Sequence, residues 1–156
     1  MKPKMNRKEL KDNNDIWNAV TKVLSEQDFP TESQEVNDAF LAFQYYSEME
    51  SGGHEALLNW SQDYIREVGI QKYQDELASS LVKIGAPDFA EIESTHLAEL
   101  WKLHLALEND ESHEDDYYSK IELMDNAYHE QNGKLEHLLE IHFHKIHTDL
   151  IDVVED

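Results

Sequence analysis

The chain has 156 residues, with 34 Asp and Glu against 13 Lys and Arg, a formal net charge of −21 at pH 7 and no cysteine. A chain of this length folds as one domain burying about two-thirds of its unfolded surface, and 40% hydrophobic with 10% aromatic residues separates it from disordered acidic chains. Disulfide frameworks, thiolate metal clusters and cysteine nucleophiles are excluded, and the absence of any apolar run near the ~18 residues of a membrane span, or of an apolar signal-peptide core, points to a soluble cytoplasmic protein.

The first eleven residues, MKPKMNRKELK, hold five bases and one acid. Residues 1–12 therefore read as a basic flexible tail, either frayed or folded back onto the acidic body. Residues 12–156 hold 33 acids and eight bases. Such a surface repels nucleic acid and anionic lipid, both of which bind through positive charge, and attracts a basic protein.

From residue 13 onward nearly every segment has helical periodicity, and none shows sustained strand-like alternation. A first helix over residues 14–26 carries Ile16, Val20 and Val23 on one stripe. The chain breaks at residues 28–30, and Thr31-Glu-Ser-Gln34 has the form of a capping box that starts a second helix. Val36, Phe40, Phe43 and Met49 face inward along it, and Gly52-Gly53 is expected to end it. A third helix carries Leu57, Trp60, Tyr64 and Val68 before Gly69, and a fourth carries Tyr73, Leu77, Leu81 and Ile84 before Gly85, each glycine standing where a left-handed C-terminal residue is expected. Pro87 suits the first turn of a fifth helix with Phe89, Leu97, Leu100 and Trp101 at helical spacing. Tyr117, Ile121, Met124 and Tyr128 mark a sixth. Leu135, Leu138, Leu139, Phe143, Ile146, Leu150 and Val153 mark a seventh after Asn132-Gly133. The expectation is one all-α domain over residues 13–156, of six or seven helices.

The densest charge is in ENDESHEDD, where Glu108, Asp110, Glu111, Glu114, Asp115 and Asp116 fall within nine positions. Residues 103–133 hold nine acids, and Lys120 is their only Lys or Arg. If Ser112-His-Glu-Asp115 is a capping box, Glu114, Asp115 and Asp116 occupy the first turn of helix six, where the macrodipole favours each by ~0.3–1 kcal/mol. Glu108, Asp110 and Glu111 precede the cap and have no such reason by this reading. Glu122 and Asp125 extend the stripe along the helix. Unpaired carboxylates one turn apart destabilise a helix slightly, so the array reads either as a solvated face or as a surface that binds a basic partner.

Tyr45-Tyr-Ser-Glu-Met-Glu-Ser-Gly-Gly-His54, then Asn59, then Leu81-Val-Lys-Ile-Gly-Ala86, resembles the bacterial family of DNA-mimic protein nineteen over residues 30–146. The shared features are an acidic, aromatic helix end running into a Gly-Gly turn and an Ile-Gly-Ala helix end farther along. Ser51 stands where the family usually has Asn, and His54 where Phe is frequent. The resemblance implies a helical domain, often a homodimer, whose acidic surface occupies the DNA site of a basic protein such as a transcription regulator. Glu48, Glu50, Gly52, Gly53 and His54 would form its turn motif. It implies no catalytic residue and no cofactor. The same electrostatics suit an immunity protein neutralising a cationic toxin, and charge alone does not separate the two partners.

A reading of a different class comes from the last helix, where His137, Glu140, His144 and His147 recur at intervals of three, four and three and share one face. Glu140 with His144 could chelate zinc, iron or nickel, or the four are a solvated polar face. His142 falls on the apolar margin and reads as a hydrogen-bonded core histidine. The ferritin-like pattern needs Glu-x-x-His on two helices, and Glu93-Ser-Thr-His96 stands alone. With no phosphate loop, dinucleotide fingerprint or serine elbow, the expectation is a non-enzymatic interaction protein.

Overall fold

The computed structural model describes residues 2–131 and 133–155; Met1, Asn132 and Asp156 lie outside the described residues, and with Asn132 half of the expected Asn132-Gly133 helix stop. The described residues form an all-α fold of six helices with one very small sheet. Among the described residues no helix is long and apolar enough to cross a membrane.

Helix α1 (Asn13–Ser25) starts at Asp12, whose carboxylate accepts the Asp15 amide at 2.8 Å. Its stripe of Ile16, Ala19, Val20, Val23 and Leu24 is buried. Helix α2 (Gln34–Val68) is capped two residues later than the sequence suggests. The cap is Ser33, which accepts the Val36 amide, while the Thr31 hydroxyl donates to Asn37 Oδ1 at 2.8 Å. The expected second and third helices are both present and meet at the expected place, so closely that they run on as two arms of α2 about a kink. Gly52 (φ −156°, ψ 15°) and Gly53 (φ 72°, ψ −156°) leave helical geometry, and the chain resumes it at once. Gly53 occupies a region open almost solely to glycine, and a Cβ there would collide with the Asp125 carboxylate.

Helix α3 (Ile70–Lys83) follows Gly69 and ends at Ile84-Gly85-Ala86. There the Ala86 amide reaches back to the Leu81 carbonyl at 2.8 Å and the Gly85 amide to Val82 at 3.0 Å, with Gly85 at φ 86°. This is a Schellman ending, which accounts for the Gly-Ala pair by helix termination alone. Helix α4 (Pro87–Asn109) opens on its proline. A 3-10 turn (Glu111–His113) leads into α5 (Glu114–His129), and α6 (Lys134–Leu150) follows Gly133 in left-handed geometry.

Helix α2 packs against α1, α3, α5 and α6, α3 lies along α4, and α4 along α5. Trp17 joins α1 to its neighbours, its ring 5.8 Å from Phe43 and 5.1 Å from Phe143 of α6. The core includes the fully buried rings of Tyr45, Tyr73, Phe89 and Phe143. Of the two dispositions expected for the basic segment, the structure shows the folded-back one. Lys4–Asn6 (β1) pairs in parallel with Asp152–Val154 (β2), and Arg7 Nε donates to Glu155 at 2.6 Å. Val153, expected on the last helix, lies in β2 instead; such short strands give no periodic signal, because their pairing depends on two distant segments meeting.

Gly53→Ala should lower stability by at least ~2 kcal/mol, combining a backbone conformation that side chains rarely adopt with the clash at Asp125. Gly133→Ala, also at positive φ but facing open space, should cost about 1 kcal/mol. Urea denaturation of the two variants checks the ordering.

Candidate functional site

The structure sorts the acidic candidates into exposed charges and internal partners. Glu108, Asp110, Glu111, Glu114, Asp115, Asp116 and Glu122 are exposed. The Ser112-His-Glu-Asp115 capping box does not form: His113 precedes α5 with no side-chain cap, and Asp110 accepts the Ser112 amide at 2.9 Å to open the 3-10 turn instead. That contact holds the Asp110 carboxyl below its ordinary range. Glu108 pairs with Arg66 of α2. Two of the three acids expected to lack a local reason therefore have one. Glu111, Glu114, Asp115, Asp116 and Glu122 form no ion pair among the described residues, and the last four share α5. Lys120 does not offset them from outside. Its ammonium turns toward α4, donating to His96 Nδ1 at 2.8 Å and to Glu99 at 3.1 Å, with its side chain only 12% exposed.

Asp125 departs from the expected stripe for a specific reason. It faces α2, where Oδ1 accepts both the His54 amide at 2.9 Å and His54 Nδ1 at 2.6 Å. The other ring nitrogen, Nε2, lies 2.9 and 3.0 Å from the two Glu93 oxygens, and the Tyr45 hydroxyl donates to Glu93 at 2.8 Å. His54 and Glu93 are fully buried. Burial works against a charge on His54, but the Glu93 carboxylate and the Asp125 hydrogen bond outweigh it and raise its pKa to about 9. An imidazolium donating from both nitrogens thus ties α2 to α4 and α5 just after the Gly52-Gly53 kink. With His54 and Glu93 sealed from solvent, the cluster holds helices together and presents no proton donor at the surface.

The remaining turn-motif acids are also engaged, Glu50 across to α5 and Glu48 within its own helix. Glu50 accepts the Tyr128 hydroxyl of α5 at 3.0 Å, and Glu48 accepts from Gln44 at 3.1 Å. Sequence reasoning missed Glu93 and Tyr45. The signal for Glu93 was legible: it falls on the stripe of Phe89, Leu97 and Leu100, so a carboxylate at a core position had to have a buried partner.

The α6 face is not assembled as a ligand set. His147 Nδ1 donates to the His144 carbonyl at 2.5 Å, His137 lies in a cleft of about 600 Å³ with Lys134 and Leu138, and Glu140 is half-buried. Among the described residues no three His, Asp or Glu side chains converge as metal ligands. His142 differs from the hydrogen-bonded reading, since its Nε2 is buried without a partner among the described residues and burial lowers its pKa.

The clamp makes stability depend on pH. A histidine whose folded pKa lies above its unfolded value of ~6.5 stabilises fully below that value, and the contribution is lost as pH rises through about 9. His96, His104 and His142 are shifted down, first by burial, so their effect has the opposite sign and falls below pH ~6.5. Stability should therefore decline between pH 6.5 and 9. His54→Gln, which leaves the carboxylates without a cation, should cost roughly 3–5 kcal/mol at neutral pH. Urea denaturation across that range checks both.

Compared with protein-family models, with curated protein sequences and with solved structures, the chain gives no match.

Proposed function

We propose that the protein is a non-enzymatic acidic interaction protein whose carboxylate surface at the end of α4 and along α5 occupies the nucleic-acid-binding surface of a basic protein, in the manner of a DNA mimic. The observation that carries this reading is the set of exposed carboxylates Glu111, Glu114, Asp115, Asp116 and Glu122, unpaired among the described residues, beside which Lys120, the only Lys or Arg of residues 103–133, is turned inward.

Duplex DNA presents one negative charge per ~1.7 Å of axis, and a protein that binds it gains mainly by releasing counterions. Carboxylates at helical spacing, ~5–6 Å between neighbouring positions, offer a comparable array. Their mutual repulsion is a small cost to the folded state that solvation alone does not require. The clamp supports the reading by restraining α5, since a charge array already in place loses less entropy on binding than an acidic tail that must first be ordered.

The test is capture from extract of the native cell on the immobilised protein, with elution by duplex DNA. Proteins that DNA displaces should be nucleic-acid-binding proteins, and their affinity should fall steeply as salt shortens the Debye length from ~10 Å toward ~3 Å. Combined Glu111→Gln, Asp116→Asn and Glu122→Gln should slow association with little change in stability, because relief of self-repulsion offsets the lost dipole interaction of Asp116. Salt-independent affinity, or capture that DNA does not compete, would contradict the proposal.

A further inference from the structure

A second surface combines aromatic rings with negative charge. Phe29, in the loop between α1 and α2, stacks on Phe40 with centroids 4.9 Å apart and meets Tyr64 edge-on at 5.1 Å; Phe40 in turn lies 5.8 Å from Trp60. Phe29, Phe40 and Tyr64 are partly buried against the core, whereas Trp60 is 42% exposed. Trp60 is thus the open end of a supported row of rings. Indoles seated in this way are the side chains most enriched at binding hot spots.

The surroundings restrict what can cover it. Residues 26–65 hold nine acids and neither Lys nor Arg, and of these acids Asp38 is buried and paired with Lys83 of α3. Asp63 is exposed one helical turn from Trp60, Asp28 precedes Phe29, and Glu76 accepts the Tyr64 hydroxyl at 2.7 Å. Arg66 is the nearest guanidinium along α2, but it is engaged elsewhere, paired with Glu108 and 5.6 Å from the ring centroid of Trp101. The protein therefore already uses one arrangement of guanidinium, indole face and carboxylate internally, and at Trp60 the indole and the carboxylate are present without the cation.

We propose that the Trp60 patch seats an arginine of the basic partner, its guanidinium lying on the indole face with Asp63 as its carboxylate. The inference rests on the acidic-interaction reading and adds selectivity to it. A carboxylate array attracts any cation, but a planar guanidinium also stacks on an indole, which an ammonium does less well. The patch selects for arginine over lysine.

Titration with oligoarginine and oligolysine peptides of equal length, at physiological salt, tests this directly. The native protein should bind oligoarginine more tightly, with about two- to fivefold of the preference due to Trp60. Trp60→Leu, which keeps an apolar side chain but no ring, should lose that part and leave oligolysine affinity unchanged. Trp60→Phe should keep some of it, and circular dichroism should show native helix content in both. The α5 triple substitution should weaken both peptides alike. An arginine preference undiminished in Trp60→Leu would overturn the proposal while leaving the acidic-surface reading intact, and no binding of either peptide to the native protein would count against both. A dimer of the free protein that Trp60→Leu dissociates would assign the patch to a second copy and overturn it equally.

Discussion

The arrangement of α2, α4 and α5 depends on one buried cation held between two carboxylates. Removing His54, Glu93 and much of Asp125 from water is expensive, and such clusters are favourable only when every charged group is paired and hydrogen-bonded. That condition is met here: both ring nitrogens and the backbone amide of His54 have carboxylate partners, and Tyr45 supplies Glu93 with a further donor. The kink is part of the same device. Only a residue without a side chain lets Asp125 approach the backbone at position 53, so the glycine pair bends α2 and makes room for the group that holds the bend.

The clamp also separates two uses of acidic residues in a chain of net charge −21. Glu93 and Asp125 act inside, offset by His54; Glu108 and Asp110 secure the approach to α5 through Arg66 and the Ser112 amide. The carboxylates left over lie on the outer surface of a helix whose inner side is fastened by Asp125 and by the Tyr128 contact to Glu50. Binding by such a surface needs little reorganisation. Self-repulsion among the exposed acids persists in the free protein and is relieved when a cation covers them.

Much of the architecture was legible because it follows from local periodicity. The stripes of Ile16, Val20 and Val23, of Tyr117, Ile121 and Met124, and of Leu135, Leu139 and Phe143 locate helices whose apolar faces are buried as read. The misreadings occur where a distant partner decides. Gly52-Gly53 does interrupt the helix as a local stop signal should, but the immediate restart, with His54 held by a carboxylate 71 positions away, has no local signal. Thr31 and Ser33 are both competent caps, and the choice followed from Asn37 engaging the Thr31 hydroxyl. Asp125 was grouped with the exposed acids because spacing along one helix does not reveal what lies across from it.

The clamp holds only if His54 is a cation in the folded protein at neutral pH, and nitrogen-detected nuclear magnetic resonance of the imidazole rings measures this directly. His54 Nδ1 and Nε2 should both carry protons at pH 7, with couplings to Asp125 and Glu93, and titrate only as pH approaches about 9. A neutral His54 with one bare ring nitrogen at pH 7 would contradict this charge state, and with it the clamp that fixes α5.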